Sequence, residues 1–166
     1  MNPKIKNKLL DALMAALAIG VGVAVNIALE SWVGVDLHFF SGMDSFTYDW
    51  AFTLFVIPFI AGFPVALIYG FGGKLLALFV PLIVQGYKYL LVIYGLAPVP
   101  EGSIVLPFIY WILVVVVAME FAGGGGWVAE ILVKKTYGRT PKHLLYKKND
   151  DSVRVGGDSS GGGGEG

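Results

Sequence analysis

The chain has 166 residues, of which 56% are hydrophobic and only 14% are charged. Soluble domains carry about 25% charged residues, so this composition favours a membrane protein. The absence of cysteine excludes disulfides, thiolate metal sites, iron–sulfur clusters and cysteine nucleophiles.

Four apolar segments are long enough to cross a bilayer. Twenty helical residues span about 30 Å, the thickness of the hydrocarbon core. In lipid, each backbone N–H and C=O must be satisfied within its own segment, so helices are predicted. The sequence therefore predicts an all-α membrane protein with four transmembrane helices, at about residues 9–29, 50–70, 75–94 and 104–122.

The first span follows a short basic start, residues 1–8, a pattern that also occurs in signal peptides. Cleavable apolar regions are usually about 7–15 residues long, so the longer run here favours an uncleaved span. Small side chains recur every fourth residue along it. Such a ridge lets another backbone approach closely, and the sequence leaves open whether the neighbour belongs to this chain or to another. The ridge consists of Ala12, Ala16, Gly20, Ala24 and Ala28.

The second span carries a ridge at the same spacing, made of Pro58, Gly62, Ala66 and Gly70. Pro58 and Pro64 are expected to kink or loosen this helix. Residues 70–74 are too few for anything except a tight antiparallel hairpin. The glycine-rich turn ends in Lys74, but Leu75 stands where a phosphate-binding loop needs Ser or Thr, so nucleotide binding is not predicted.

The fourth span is followed by four glycines, Gly123–Gly126. They either allow a very close helix contact or break the helix. We favour a break, followed by a short interfacial helix, because an unbroken stretch of about 30 residues would be about 45 Å long and strongly tilted. Residues 134–148 are basic and complete a transmembrane unit that covers residues 9–148. Residues 149–166 are predicted to form a disordered Gly-rich tail, although the composition also fits an added linker.

The basic residues predict the orientation. Three precede the first span, one lies in the hairpin, seven follow the fourth span, and the two other connections hold none. Because Lys and Arg remain on the cytoplasmic side, both termini and the hairpin are predicted to face the cytoplasm. The expected location is the inner (plasma) membrane of a bacterium. The basic groups that would contact lipid headgroups are Lys134, Lys135, Arg139, Lys142, Lys147 and Lys148.

Polar side chains within the spans are functional candidates because their burial in lipid is costly. They are Asn26, Gln85, Lys88 and Glu120. Lys88 either extends its ammonium group to the outer interface or pairs with a buried carboxylate or a partner subunit. Glu120 is predicted to lie too far along the membrane normal to be that partner.

Chemical motifs are sparse. A haem between the spans would need an axial ligand, usually His, at membrane depth, and the two histidines, His38 and His143, lie outside the spans. Asp36 and His38 are weak metal-ligand candidates. We therefore predict no cofactor, no nucleic-acid partner and no enzymatic activity.

Three functional hypotheses remain. The first is a small structural or accessory subunit that packs against other membrane subunits in a larger complex. The second is an oligomeric channel or carrier for a small solute or ion. The third is a membrane anchor that binds quinone or lipid.

Overall fold

The computed structural model describes residues 3–137, with side chains from Lys8 to Thr136 except that of Asp44. Four helical segments are long and apolar enough to cross a membrane, which confirms the predicted fold at that level: Lys8–Val33, Tyr48–Tyr69, Gly73–Ile93 and Phe108–Thr136. The elements in chain order are α1 (Pro3–Val33), β1 (Phe39–Phe40), a 3₁₀ turn (Gly42–Ser45), α2 (Tyr48–Ala51), a π turn (Phe52–Val56), α3 (Ile57–Tyr69), α4 (Gly73–Ala77), α5 (Phe79–Ile93), β2 (Ile104–Val105) and α6 (Phe108–Tyr137).

Prolines explain why the second and third spans are each divided. The π turn lies just before Pro58, which has no N–H to donate to the preceding turn. The break between α4 and α5 comes at Leu78, three residues before Pro81, which likewise lacks a donor. Pro64, by contrast, lies inside a continuous α3. The sequence-based expectation of a loosened second span therefore applies at Pro58 and not at Pro64.

The bundle has two distinct ends. At one end β1 and β2 pair antiparallel, with Phe39 opposite Val105 and Phe40 opposite Ile104, and we call this the strand end. At the other end α3 and α4 are joined by Gly70, Phe71 and Gly72, and we call this the hairpin end. Gly70 and Gly72 have φ angles of 84° and 90°, which favour glycine because they lie in the left-handed half of backbone space.

The centre of the bundle is built from small apolar side chains. One buried cluster contains Ala18 of α1, Ala61 and Val65 of α3, Ala77 of α4 and Val80 of α5. α3 lies at the centre of the arrangement and contacts α1, α4, α5 and α6. Many large apolar side chains are exposed on the outside of the bundle, as expected for surfaces that meet lipid.

The four glycines of α6 do not break the helix, which is continuous from Phe108 to Tyr137. The structure thus contradicts the predicted break. Gly125 lies against the backbone of Phe59, and Gly126 lies against the backbone of Lys74, so a Cβ at either position would collide with main-chain atoms. The glycines therefore serve close packing on α3 and α4. The interfacial position of the end of α6 stays a prediction.

The fourth helix also begins later than predicted. Ile104 and Val105 are in β2, and the helix starts only at Phe108, after Pro107. Pro107 disfavours helical geometry at the residue before it, and its own carbonyl accepts hydrogen bonds from the N–H groups of Tyr110 and Trp111. The predictions for Arg139, Lys142, Lys147, Lys148 and the Gly-rich tail concern residues outside the described part of the chain.

Candidate functional site at the strand end

A group of charged and polar side chains lies at the strand end, where α1, α5 and the segment before β1 meet. The Nζ atom of Lys88 is 2.8 Å from Oε2 of Glu30 and 2.8 Å from Oδ1 of Asp36. The Nε2 atom of Gln85 donates a hydrogen bond of 2.7 Å to Oε1 of Glu30. We call these four residues the Lys88 cluster.

The helices place the members of the cluster by simple periodicity. Gln85 and Lys88 are three residues apart on α5 and therefore share one face. Glu30 lies in the last turns of α1, and Asp36 follows the end of that helix. The Glu30 side chain is only 1% exposed, whereas the Lys88 and Asp36 side chains are 26% and 45% exposed. The cluster therefore extends from the protein interior to the surface.

The sequence left open whether Lys88 extends to the outer interface or pairs with a carboxylate or a partner subunit. In the structure Lys88 pairs with two carboxylates, those of Glu30 and Asp36. A buried carboxylate needs a partner because its transfer out of water is expensive, and Lys88 supplies that partner to Glu30. The first span was predicted to end at residue 29, so Glu30 fell just outside it and was missed as the partner. Its position near the end of an apolar helix, at the level of Lys88, was the available signal.

The other predicted intramembrane polar residues lie elsewhere. Asn26 is fully buried on α1, one turn from Glu30, and its amide group has no hydrogen-bond partner within the described residues. Glu120 is exposed on α6 and lines a groove with Lys74 near the hairpin end. It therefore does not join the Lys88 cluster.

His38 is a buried polar residue beside the cluster. Its residue surface is 3% exposed, its Nδ1 atom has no partner within the described residues, and its ring centroid is 4.3 Å from that of Phe39. Burial lowers the pKa of His38, the nearby Asp36 opposes that change, and the Lys88 charge adds to it. This burial favours the neutral form of the imidazole.

A cleft of about 340 Å³ opens between the segment before β1, the end of α5 and the following connection. Its walls combine the polar groups of Asp36, His38 and Lys88 with apolar side chains from Leu91, Ala97 and Pro98. The volume is at the lower end of the range of small-molecule sites.

The cleft does not have the ligands of a metal site. Within the described residues, no group of three or more His, Cys, Asp or Glu side chains is placed to hold an ion. One oxygen of Asp36 is already engaged with Lys88, and His38 stands beside it as the second candidate ligand. The arrangement instead suits hydrogen bonding and charge recognition.

No family model, curated protein or solved structure matches this chain.

Aromatic stacking holds the strand end in place. The rings of Tyr89 and Trp111 stack with centroids 4.6 Å apart and planes inclined by 18°. The Tyr89 hydroxyl donates a hydrogen bond of 3.2 Å to the carbonyl of Leu106, next to β2. These contacts tie α5 to α6 and to the strand pair at the residue directly after Lys88.

The hairpin end has its own polar contact, which sequence reasoning missed. Oε1 of Glu130 on α6 accepts hydrogen bonds from the backbone N–H groups of Gly72, at 2.9 Å, and Lys74, at 3.1 Å. A carboxylate at the start of α4 satisfies otherwise unpaired amides and interacts favourably with the positive end of the helix. A lone glutamate within an apolar helical stretch was the sequence signal for this role.

The two predicted small-residue ridges have different environments. Pro58, Gly62 and Ala66 of the second span are buried, and Gly62 lies against the backbone of Ala122 on α6. The ridge of the first span, Ala12, Ala16, Gly20, Ala24 and Ala28, is exposed throughout. The face by which α1 packs within the chain is a different row, Ala18, Gly22, Asn26 and Glu30, in which every residue is buried.

Proposed function

We propose that this chain is a small integral-membrane structural or accessory subunit that packs within a larger membrane protein complex. The observation that carries the proposal is the exposed ridge of α1, Ala12 to Ala28, on a helix whose other face already packs on α3 and α5. Lipid gives helices no hydrophobic reason to associate, so small residues that permit close backbone contact are typical of helix–helix interfaces.

The proposed orientation places the hairpin end and both termini in the cytoplasm of a bacterial cell and the strand end outside. The distribution of Lys and Arg supports it, since the connections at the strand end contain none. Lys134 and Lys135, exposed near the end of α6, would then lie beside anionic lipid headgroups, each contributing about 1 kcal/mol of attraction.

The absence of cysteine allows a direct test of the ridge. Single substitutions Ala16→Cys and Ala24→Cys would carry a benzophenone maleimide for photo-crosslinking in native membranes. Leu13→Cys and Leu17→Cys are matched controls, because both side chains are exposed on α1 beside the ridge. We expect the ridge positions to form adducts with a different membrane protein, identified by mass spectrometry, and the controls to form far fewer.

Two outcomes would contradict the accessory role. One is equal crosslinking from ridge and control positions. The other is recovery of only a monomer or a homo-oligomer after mild-detergent purification from native membranes.

An oligomeric channel or carrier is the alternative proposal, and the ionised side chains of the Lys88 cluster within a span are what favour it. The two carboxylates beside Lys88 count against it, because the ammonium group is already compensated. Flux through reconstituted liposomes separates the two proposals: solute or ion flux that Lys88→Ala abolishes would support the carrier.

A quinone- or lipid-binding anchor is the third proposal. A groove of about 330 Å³ near the hairpin end is lined by Lys74, Glu120 and Trp127 over a floor that includes Gly123 and Gly124. A quinone or pigment that copurifies with the chain would support this role. No enzymatic activity is proposed.

A further inference from the structure

We propose that the interior of the bundle holds a bound water molecule between α1 and the π turn, with Asn26 and Glu30 as partners. The site lies on the buried face of α1, so it does not depend on the accessory role assigned to the exposed ridge.

The first argument is that Asn26 carries a buried amide group without a partner. The residue is 0% exposed, and neither Nδ2 nor Oδ1 makes a hydrogen bond within the described residues. A buried polar atom without a partner is costly, and internal waters typically satisfy such groups. Because no atom of Asn26 reaches the surface, the ligand has to be as small as water.

The second argument is a free acceptor one turn along α1. Side chains four residues apart on a helix are neighbours, so Glu30 stands beside Asn26. Oε2 of Glu30 is 2.8 Å from Nζ of Lys88, but it makes no hydrogen bond of good geometry within the described residues. A water between the two side chains accepts a hydrogen bond from Nδ2 of Asn26 and donates one to Oε2 of Glu30.

The third argument comes from the π turn of the second span. α1 ends and the second span begins at the strand end, so the two run in opposite directions, and Gly22 lies against the carbonyl oxygen of Ala61. One turn further along α1, Asn26 is therefore level with Pro58. Pro58 has no N–H, so a carbonyl of the preceding turn lacks its usual donor, and ordered waters satisfy such carbonyls in membrane helices.

This carbonyl gives the water a third hydrogen bond, the usual number for an internal water. The polar groups then form one chain that runs from Asn26 through the water, Glu30 and Lys88 to Asp36 at the surface. The water thus extends the Lys88 cluster to the centre of the bundle and fixes the rotation of α1 against the π turn.

The test uses the full chain in lipid nanodiscs, labelled with ¹⁵N-asparagine. The chain has four asparagines, and the variant Asn2→Gln/Asn7→Gln/Asn149→Gln leaves Asn26 as the single signal. We expect the Nδ2 protons of Asn26 to show NOE and ROE cross-peaks of opposite sign to the water resonance. Opposite signs identify a long-lived bound water and exclude direct proton exchange.

Two variants each remove one partner of the water. Pro58→Ala restores a backbone donor to the π turn, and Glu30→Leu/Lys88→Met removes the carboxylate together with its counter-charge. Each should reduce the water cross-peak of Asn26 by at least half, and either variant suffices if the other does not fold. Pro64→Ala is the matched control, because Pro64 is half-buried inside the continuous α3, and the cross-peak should be unchanged.

A second control addresses relayed magnetisation. An exchanging hydroxyl proton can relay a water cross-peak, and Thr53 carries a buried hydroxyl in the π turn. Thr53→Val removes this proton, and the cross-peak of Asn26 should persist.

The proposal is overturned if Asn26 shows no such cross-peak, if Thr53→Val abolishes it, or if no partner variant that folds reduces it.

Discussion

A single ammonium group, that of Lys88, joins α5 to the end of α1 and to the segment that leads into β1. Such a contact contributes more to specifying the arrangement of the helices than to their net stability, because desolvation of the charges offsets much of their attraction. Removal of the Lys88 charge nevertheless lowers stability, since Glu30 would remain buried without a counter-charge.

Lys88→Met should therefore lower the free energy of unfolding by about 3 kcal/mol, a loss typical of a broken buried ion pair. The double variant Glu30→Leu/Lys88→Met removes both buried charges and should recover at least half of that loss. Denaturant titration in a fixed detergent would measure both values. A loss below about 0.5 kcal/mol in the single variant would show that the pair is not a structural contact.

His38 should make stability depend on pH. Burial holds its pKa below the ordinary value of 6.5, so between that lower pKa and pH 6.5 the unfolded chain binds more protons than the folded chain does. The contribution of the neutral His38 to the free energy of unfolding is present in full above pH 6.5. It is lost as the pH falls through the lower pKa of the folded protein. We expect the melting temperature to fall between pH 7 and pH 5, and to fall less in His38→Gln. Identical pH profiles would contradict this account.

At the scale of elements, the glycines of α6 decide how closely it approaches α3. A Cβ at Gly125 would meet the backbone of Phe59, which cannot move aside as a flexible side chain can. Gly20 on α1 has no neighbouring atom in the corresponding position. The two glycines thus form a matched pair, one at a contact and one in open space.

Gly125→Ala should destabilise the isolated chain by about 1–3 kcal/mol, as overpacking of a close contact does. Gly20→Ala should be neutral or stabilise it by up to about 1 kcal/mol, because Ala favours helix. Thermal denaturation of both purified variants is the measurement. Equal effects would mean that the α3–α6 contact does not depend on the missing side chain.

Glu130 connects α6 to the hairpin through two backbone donors. Glu130→Ala leaves the N–H groups of Gly72 and Lys74 without this acceptor, and we expect a loss of about 2–3 kcal/mol. Glu130→Gln keeps an oxygen acceptor and should lose less. Glu120→Ala, at an exposed position on the same helix, is the control and should change stability by less than about 0.5 kcal/mol.

The elements also show where sequence reasoning succeeds and where it fails. Four apolar helices follow from hydropathy and length, because lipid leaves the backbone no alternative. Gly123–Gly126 could not be interpreted in the same way, since a helix break and a close contact both require glycine. Only the position of Phe59 and Lys74 on neighbouring helices distinguishes the two.

The candidate site was only partly predictable for a related reason. Lys88, Asp36 and His38 were visible as unusual residues, but their proximity depends on the rotation of each helix about its axis. Hydropathy does not encode that rotation, and spans that are apolar on all sides give little periodic signal. Glu30 and Glu130 were missed because their partners lie far away in the sequence: two side chains for Glu30 and two backbone amides for Glu130.

At the scale of the whole molecule, the proposed orientation can be tested because the chain has no cysteine. Ser41→Cys at the strand end should react with a membrane-impermeant maleimide in intact spheroplasts. Lys135→Cys near the end of α6 should react only after permeabilisation. Both residues are exposed, so access to the reagent depends on the side of the membrane alone. Labelling in the opposite order would reverse the orientation.

The short pairing of β1 with β2 has a consequence for biogenesis. The two strands flank the second and third spans, so the pairing cannot form until both spans have been synthesised and β2 has emerged. Once formed, it joins the connections on either side of that helical hairpin. A chain that ends before residue 104 therefore lacks this contact between the two connections.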